Sequence, residues 1–99
     1  MGPEFEWDAG KAAENLKKHG VSFEEALTVF ADPLASIFTD KDHSSEETRE
    51  LMIGHSTEPH LLIVSFTDRD GRVRITGARS VTARERRDYE QNTKKNAKG

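Results

Sequence analysis

Apolar positions along the chain change period several times, and each change marks an element. Phe5 and Trp7 alternate with Glu6 as a short first strand, and Asp8 follows as the N-cap of a helix through His19. Ala12, Ala13 and Leu16 give this helix a narrow apolar stripe. Lys17, Lys18 and His19 fall in its last turn, where cations complement the macrodipole, and Gly20 closes it. Trp7 and Ala12 stand at the two positions of a hydrophobic staple. Ser22 and Glu25 then form a capping box, and Phe23, Ala26, Leu27 and Phe30 recur at i, i+3, i+4 and i+7. Asp32-Pro33 ends this second helix, because the residue before proline is pushed out of the α region.

Beyond it the period falls to two. Leu34 to Thr39 reads as a partly buried strand, and residues 40–48, DKDHSSEET, read as an exposed loop with a solvated His43. Arg49 to His55 alternates again, with Leu51 and Ile53 on one face, before a turn over Ser56 to Pro59. Leu61 to Phe66, apolar on both faces, is the expected central strand, and Asp68-Arg69-Asp70-Gly71 turns the chain back. Arg72, Arg74 and Thr76 then share one face of the next strand, opposite Val73 and Ile75. Gly77 interrupts the alternation as a bulge or bend would, so counting does not give the direction of Arg79. Thr82 and Glu85 make a further capping box, opening a helix that carries Arg84, Arg86, Arg87 and Tyr89, and residues 93–99 are expected to fray.

The predicted order, β-α-α-β-β-β-β-α, is a single α+β domain over residues 5–92. It is a small antiparallel meander sheet packed with two N-terminal helices and one C-terminal helix, with the helices against one face. Residues 1–4 are open to reading as a cloning remnant.

Composition adds compartment and charge. Ninety-nine residues without cysteine fit one modest core with no disulfide or thiolate metal site. No apolar run approaches a membrane span and no signal peptide is evident, so a soluble, cytoplasmic protein without membrane contact is expected. The net charge of −3 conceals a division: residues 1–66 hold 5 Lys and Arg against 13 Asp and Glu, whereas residues 67–99 hold 10 against 5. A basic final third suits an anionic partner, either nucleic acid or an acidic protein; a solvated basic helix end accounts for it as well.

Familiar catalytic signatures are missing. There is no glycine-rich phosphate loop, GxSxG elbow, HExxH or calcium loop, so neither a metal nor a nucleotide cofactor is expected. Arginines, lysines and four histidines on a small sheet remain. Metal-free RNA cleavage needs one group to take the 2′-OH proton, another to protonate the leaving 5′-oxygen, and cations to stabilise the phosphorane. Arg74 and Arg79 are suited to the phosphate, since a planar guanidinium binds its oxygens bidentately; a salt bridge to the acidic half is the alternative. His19 is a proton-transfer candidate, because imidazole titrates near neutrality, although a charge at the helix end is the plainer reading. His55 and His60 flank a turn as edge residues, and Trp7 reads as a core anchor. For Tyr89, covering the sheet edge is favoured over stacking on a base.

Several short motifs occur here in a joint order. They are FEWD at Phe5 to Asp8, Lys11, N-x-x-K-H-G at Asn15 to Gly20, VSFEEA at Val21 to Ala26, FADP at Phe30 to Pro33, R-x-L-x-I-G at Arg49 to Gly54, and I-T-G-A-R followed by T-x-R-E-R-R-x-Y-E. In this order, from Phe5 to Glu90, they resemble the BrnT toxins. The resemblance implies a RelE-like fold and a ribonuclease toxin of a type II toxin-antitoxin pair that stops translation and arrests growth. It also implies a BrnA-like antitoxin of ribbon-helix-helix type, which binds operator DNA and holds the toxin in a two-plus-two assembly. By motif position the family's basic groove maps onto Lys11, Lys18, His19, Arg49, Arg74 and Arg79. The resemblance does not assign each a chemical role; the expected catalytic set is Arg79, Arg74, His19 and Lys18, with Lys11, Arg49, Arg69, Arg72 and Tyr89 as expected RNA contacts. Two other readings are a non-enzymatic toxin that inhibits a target protein such as gyrase, and an inactive homologue acting as an antitoxin-binding co-repressor.

Overall fold

Among the described residues five strands and three α-helices follow one another as β1 (Glu4–Glu6), α1 (Ala9–His19), α2 (Phe23–Thr28, continued by a 3-10 turn over Val29–Ala31), β2 (Ser36–Thr39), β3 (Arg49–His55), β4 (Leu61–Arg69), β5 (Arg72–Ser80) and α3 (Ala83–Lys98). The structure is a computed structural model that describes residues 4–39 and 49–98, with α3 side chains described as far as Asn92. The expected loop over residues 40–48, including His43, lies outside the described residues. α3 continues to Lys98, past the point where fraying was expected. Glu4, set aside as part of a cloning remnant, belongs to β1.

The sheet order is β1-β5-β4-β3-β2. β2 to β5 form the antiparallel meander that the alternation predicts, and β1 adds to it in parallel beside β5, so the sheet is mixed. The β4-β5 loop is the two-residue turn Asp70-Gly71. Both residues have positive φ, 51° and 84°, as the hairpin turns that match strand twist demand. β4 is accordingly three residues longer than its apolar run.

Two cores lie on opposite faces of the sheet, which corrects the expectation that all helices share one face. Phe23, Ala26 and Val29 pack against Met52, Leu62, Val64, Phe66, Val73, Ile75 and Ala78. Phe30 sits edge-on between Phe5 and Phe66, and Trp7 meets Phe23 edge-on, so Trp7 anchors this core. On the other face Tyr89 of α3 closes a smaller cluster with Ile53, Leu61 and Ile63. α3 covers only this end. The remainder of the face is left for the site.

The caps follow the sequence with one exception. Asp8 Oδ2 accepts from the Lys11 amide at 2.9 Å, and Gly20 takes the left-handed conformation that ends α1. Ser22 accepts from the Glu25 amide at 3.0 Å, but the Glu25 carboxylate does not return to Ser22. It accepts instead from Ser56 Oγ and pairs with His60 Nδ1, each at 2.7 Å, tying α2 to the turn before β4.

Candidate active site

The geometry of the open face is set by a bulge in β5. Ser65 pairs with Gly77, while its neighbour Phe66 pairs with Ile75, which leaves Thr76 as the extra residue. Before the bulge Val73 and Ile75 point into the main core; after it Ala78 does, and Arg79 turns to the opposite face beside Ile63. Thr76 Oγ1 bonds Ser65 Oγ at 3.1 Å across the strands.

β1 pairs only with Arg72, Val73 and Arg74, so the later part of β5 has an unpaired edge. α1 occupies it. Asn15 Nδ2 donates to Ala78 O at 2.8 Å and to Val21 O at 2.9 Å, and Asn15 Oδ1 accepts from the Ala78 amide at 3.1 Å. This side chain stands in for a neighbouring strand and brings the α1 face bearing Lys11, Lys18 and His19 against the bulge.

A groove of about 310 Å³ results, lined by Leu51, Ile63, Ser65 and Gly77 together with His19, Arg49 and Arg79. A second depression, of about 360 Å³, shares Asn15, His19 and Gly77 with the first and is lined further by Lys11, Glu14, Lys18 and Thr76. The two form one track across the open face. Five of the expected residues, Lys11, Lys18, His19, Arg49 and Arg79, come together along it.

The other four stand apart. Arg74 Nη1 donates to Glu6 Oε2 at 3.0 Å, and Arg72 lies 3.7 Å from Glu4 and 3.6 Å from Glu6. The parallel register that sets Glu4 beside Arg72 and Glu6 beside Arg74 creates these pairs, so Arg74 takes the salt-bridge alternative, Arg72 is ion-paired beside it, and neither lines the track. Arg69 ends β4 at the hairpin tip. Tyr89 is 5 % exposed, with its ring edge-on to His55 and its hydroxyl donating to Leu34 O at 3.3 Å. It takes the packing role and offers no open ring face to a base.

Arg79 is the most constrained cation of the track. Its Nη1 and Nη2 donate to Glu85 Oε1 and Oε2, both at 2.9 Å, and Nη1 also donates to Ser80 O at 3.1 Å. Glu85 is itself held by the expected capping box. Its Oε1 accepts from the Thr82 amide at 2.8 Å and its own amide donates to Thr82 Oγ1 at 3.1 Å. The bonds from Arg79 outweigh burial and bring the Glu85 carboxyl down to about 2, and the Glu85 bond raises Arg79 further above its ordinary value. Among the described residues no group of three His, Cys, Asp or Glu is placed to hold a metal ion.

Sequence reasoning missed Asn15 as a structural bond-maker and Glu85 as a partner of Arg79. Nothing near Asn15 in the chain announces its two bonds to Ala78, which close over 63 residues. Glu85 was visible only as a capping residue.

Residues 7–85 match the family described as the ribonuclease toxin BrnT of type II toxin-antitoxin systems. The chain belongs to the BrnT family. No curated protein matches it. Among solved structures it is similar to the Brucella abortus ribonuclease toxin BrnT, at 20 % identity over 81 % of this chain and 97 % of that one, with a TM-score of 0.63. At that identity the likeness shows the BrnT fold alone. As a family member the chain is a ribonuclease toxin of the type II toxin-antitoxin class, whose members act with an antitoxin partner. No helix among the described residues is long and apolar enough to cross a membrane.

Proposed function

We propose that this toxin is an endoribonuclease that cleaves RNA without a metal ion in the track between α1 and β5, stopping translation and arresting growth. The observation that carries this reading is the convergence of His19, Arg49 and Arg79 on one groove, with Lys11 and Lys18 extending the positive charge along its continuation. In the reaction the RNA 2′-oxygen forms a bond to phosphorus as the bond from phosphorus to the 5′-oxygen breaks. One group accepts the 2′-OH proton and another delivers a proton to the leaving oxygen, which ends as a 5′-OH. Arg79 and Arg49 stabilise the charge that builds on the equatorial oxygens, His19 and Lys18 are placed to move protons, and Lys11 holds the chain.

The apolar floor of Leu51 and Ile63 suits an unstacked base, which fits single-stranded RNA. The partner in this reading is a BrnA-like ribbon-helix-helix antitoxin in a two-plus-two assembly, in the cytoplasm, with operator DNA bound only through the antitoxin.

The test is incubation of antitoxin-free protein with a defined RNA in EDTA beside Arg79→Ala. Cleavage that leaves 2′,3′-cyclic phosphate ends and is lost in the variant is the expected result. Intact RNA from a protein that still arrests growth would turn the assignment to ribosome-dependent cleavage or to a non-enzymatic toxin, and intact RNA without arrest to an inactive antitoxin-binding homologue.

A further inference from the structure

We infer that Glu85 is a positioning residue for Arg79, presenting the side-on edge of its guanidinium, Nε–H and the second Nη2–H, to a phosphate in the groove. The inference rests on the ribonuclease reading above and assigns a part of its site. The guanidinium has five N–H groups in a fixed plane. Glu85 and Ser80 O occupy three of them, all at the Nη1/Nη2 end. Among the described residues the remaining two, which share one edge, have no protein partner. A carboxylate at one edge and a phosphate at the other can bind the same arginine together, because each uses a different pair of donors.

Glu85 is fitted to hold the plane still. Its carboxylate is clamped from behind by the Thr82 amide, a bracket that does not depend on the Thr82 hydroxyl, whose own bond from the Glu85 amide only caps the helix end. The bracket spans the boundary between two depressions. Arg79 lines the cationic groove, while Glu85 lines the apolar cleft formed with Phe38, Ile53, Ile63 and Tyr89. A carboxyl held near 2 is a poor proton acceptor at neutral pH, so Glu85 acts by geometry and charge and not as the base.

Two variants separate positioning from helix capping. Glu85→Gln keeps a side-chain oxygen for the Thr82 amide but removes the charge and sets an NH2 against the guanidinium. Thr82→Ala removes the Oγ1 cap but leaves both arginine bonds. The expected result for Glu85→Gln is a kcat on a defined RNA lowered about 10- to 100-fold with KM little changed, the scale of a displaced catalytic group. Thr82→Ala should stay within about 3-fold of the parent, as expected if its hydroxyl acts only on the helix end.

A second readout does not depend on turnover. The Arg79 Nε–H resonance, assigned by its absence in Arg79→Lys, should shift when a non-cleavable 2′-O-methyl oligonucleotide is added to the parent and not when it is added to Glu85→Gln. Unchanged kcat in Glu85→Gln, an equal loss in Thr82→Ala, or a silent Nε–H in the parent each overturns the assignment. A parent that cleaves no RNA but shows the Glu85-dependent shift would sink the nuclease reading while leaving the positioning of Arg79 standing.

Discussion

Asn15 and Ala78 exchange two hydrogen bonds across 63 residues of chain, Nδ2 to the carbonyl at 2.8 Å and the amide to Oδ1 at 3.1 Å. One amide side chain thereby satisfies both backbone groups that a sixth strand would have paired, and a third bond from Nδ2 to Val21 O fixes the turn after α1. The positions of His19 and Lys18 depend on this docking.

Asn15→Ala is expected to leave these backbone groups short of partners and to cost about 2 to 4 kcal/mol, at roughly 1 kcal/mol or more for each partly buried group. Urea unfolding checks the loss. The variant should also cleave RNA more weakly under conditions in which it remains folded, since α1 is no longer pinned to the bulge.

Arg74 and Arg79 should separate cleanly. Arg74 pairs with Glu6 with both side chains about one-third exposed, a setting in which an ion pair contributes about 1 kcal/mol or less. Arg74→Ala is expected to keep RNA cleavage within a few-fold of the parent, whereas Arg79→Ala should lose about 100-fold or more in kcat, the loss typical of one removed charge-stabilising donor. Single-turnover kinetics on the same RNA compare the two.

Acid should weaken the fold in a defined direction. Glu85 titrates near 2 in the folded protein, below its ordinary 4.5, so its contribution is complete above about 4.5 and is lost as pH falls toward 2. For Glu25, burial pushes the carboxyl up, but the bonds from Ser56 and His60 and the charge of His60 prevail and leave it lowered. Its contribution has the same sign. Acid unfolding followed by circular dichroism should show the parent losing its advantage over Glu85→Gln across that window, with the two indistinguishable below it.

Gly54 sits where β3 passes closest to the chain around α2. A Cβ there would lie 2.8 Å from Ala35 Cβ, 3.0 Å from Asp32 Oδ2 and 3.1 Å from Val29 Cγ1. Gly54→Ala should therefore destabilise by about 1 to 3 kcal/mol through overpacking, and it should also disturb the 2.7 Å bond from the His55 amide to Asp32 Oδ2. The thermal midpoint measures the first effect.

Local chemistry was legible and distant closure was not. Asp8, Ser22 and Thr82 announced their helices because a cap acts over three residues, and Phe23, Ala26 and Phe30 announced a core face because helical spacing is local. β1 joining β5 in parallel, and α3 crossing to the second face, depend on contacts between chain ends that no short window contains. Of the candidate site, the cations could be listed from the sequence. What sorted Arg79 from Arg74 was their carboxylate partners: Glu85 six residues on holds Arg79 at the groove, and Glu6 from β1 holds Arg74 away from it.

The extra residue in β5 behaves as a phase shift. Had the strand kept a strict period of two, residue 79 would share the direction of Val73 and Ile75, and a guanidinium would be driven beneath α2 while residue 78 looked out into the groove. Inserting Thr76 without a partner lets one continuous strand feed the same core from both ends and deliver a cation to the open face at its far end. The position of Arg79 is thus set by residue count as much as by residue identity. Deleting Thr76 should therefore leave an unbroken ladder with Ala78 still in the core and Arg79 still on the open face, and only forcing Thr76 into the ladder as a paired residue would exchange core and groove along the rest of β5.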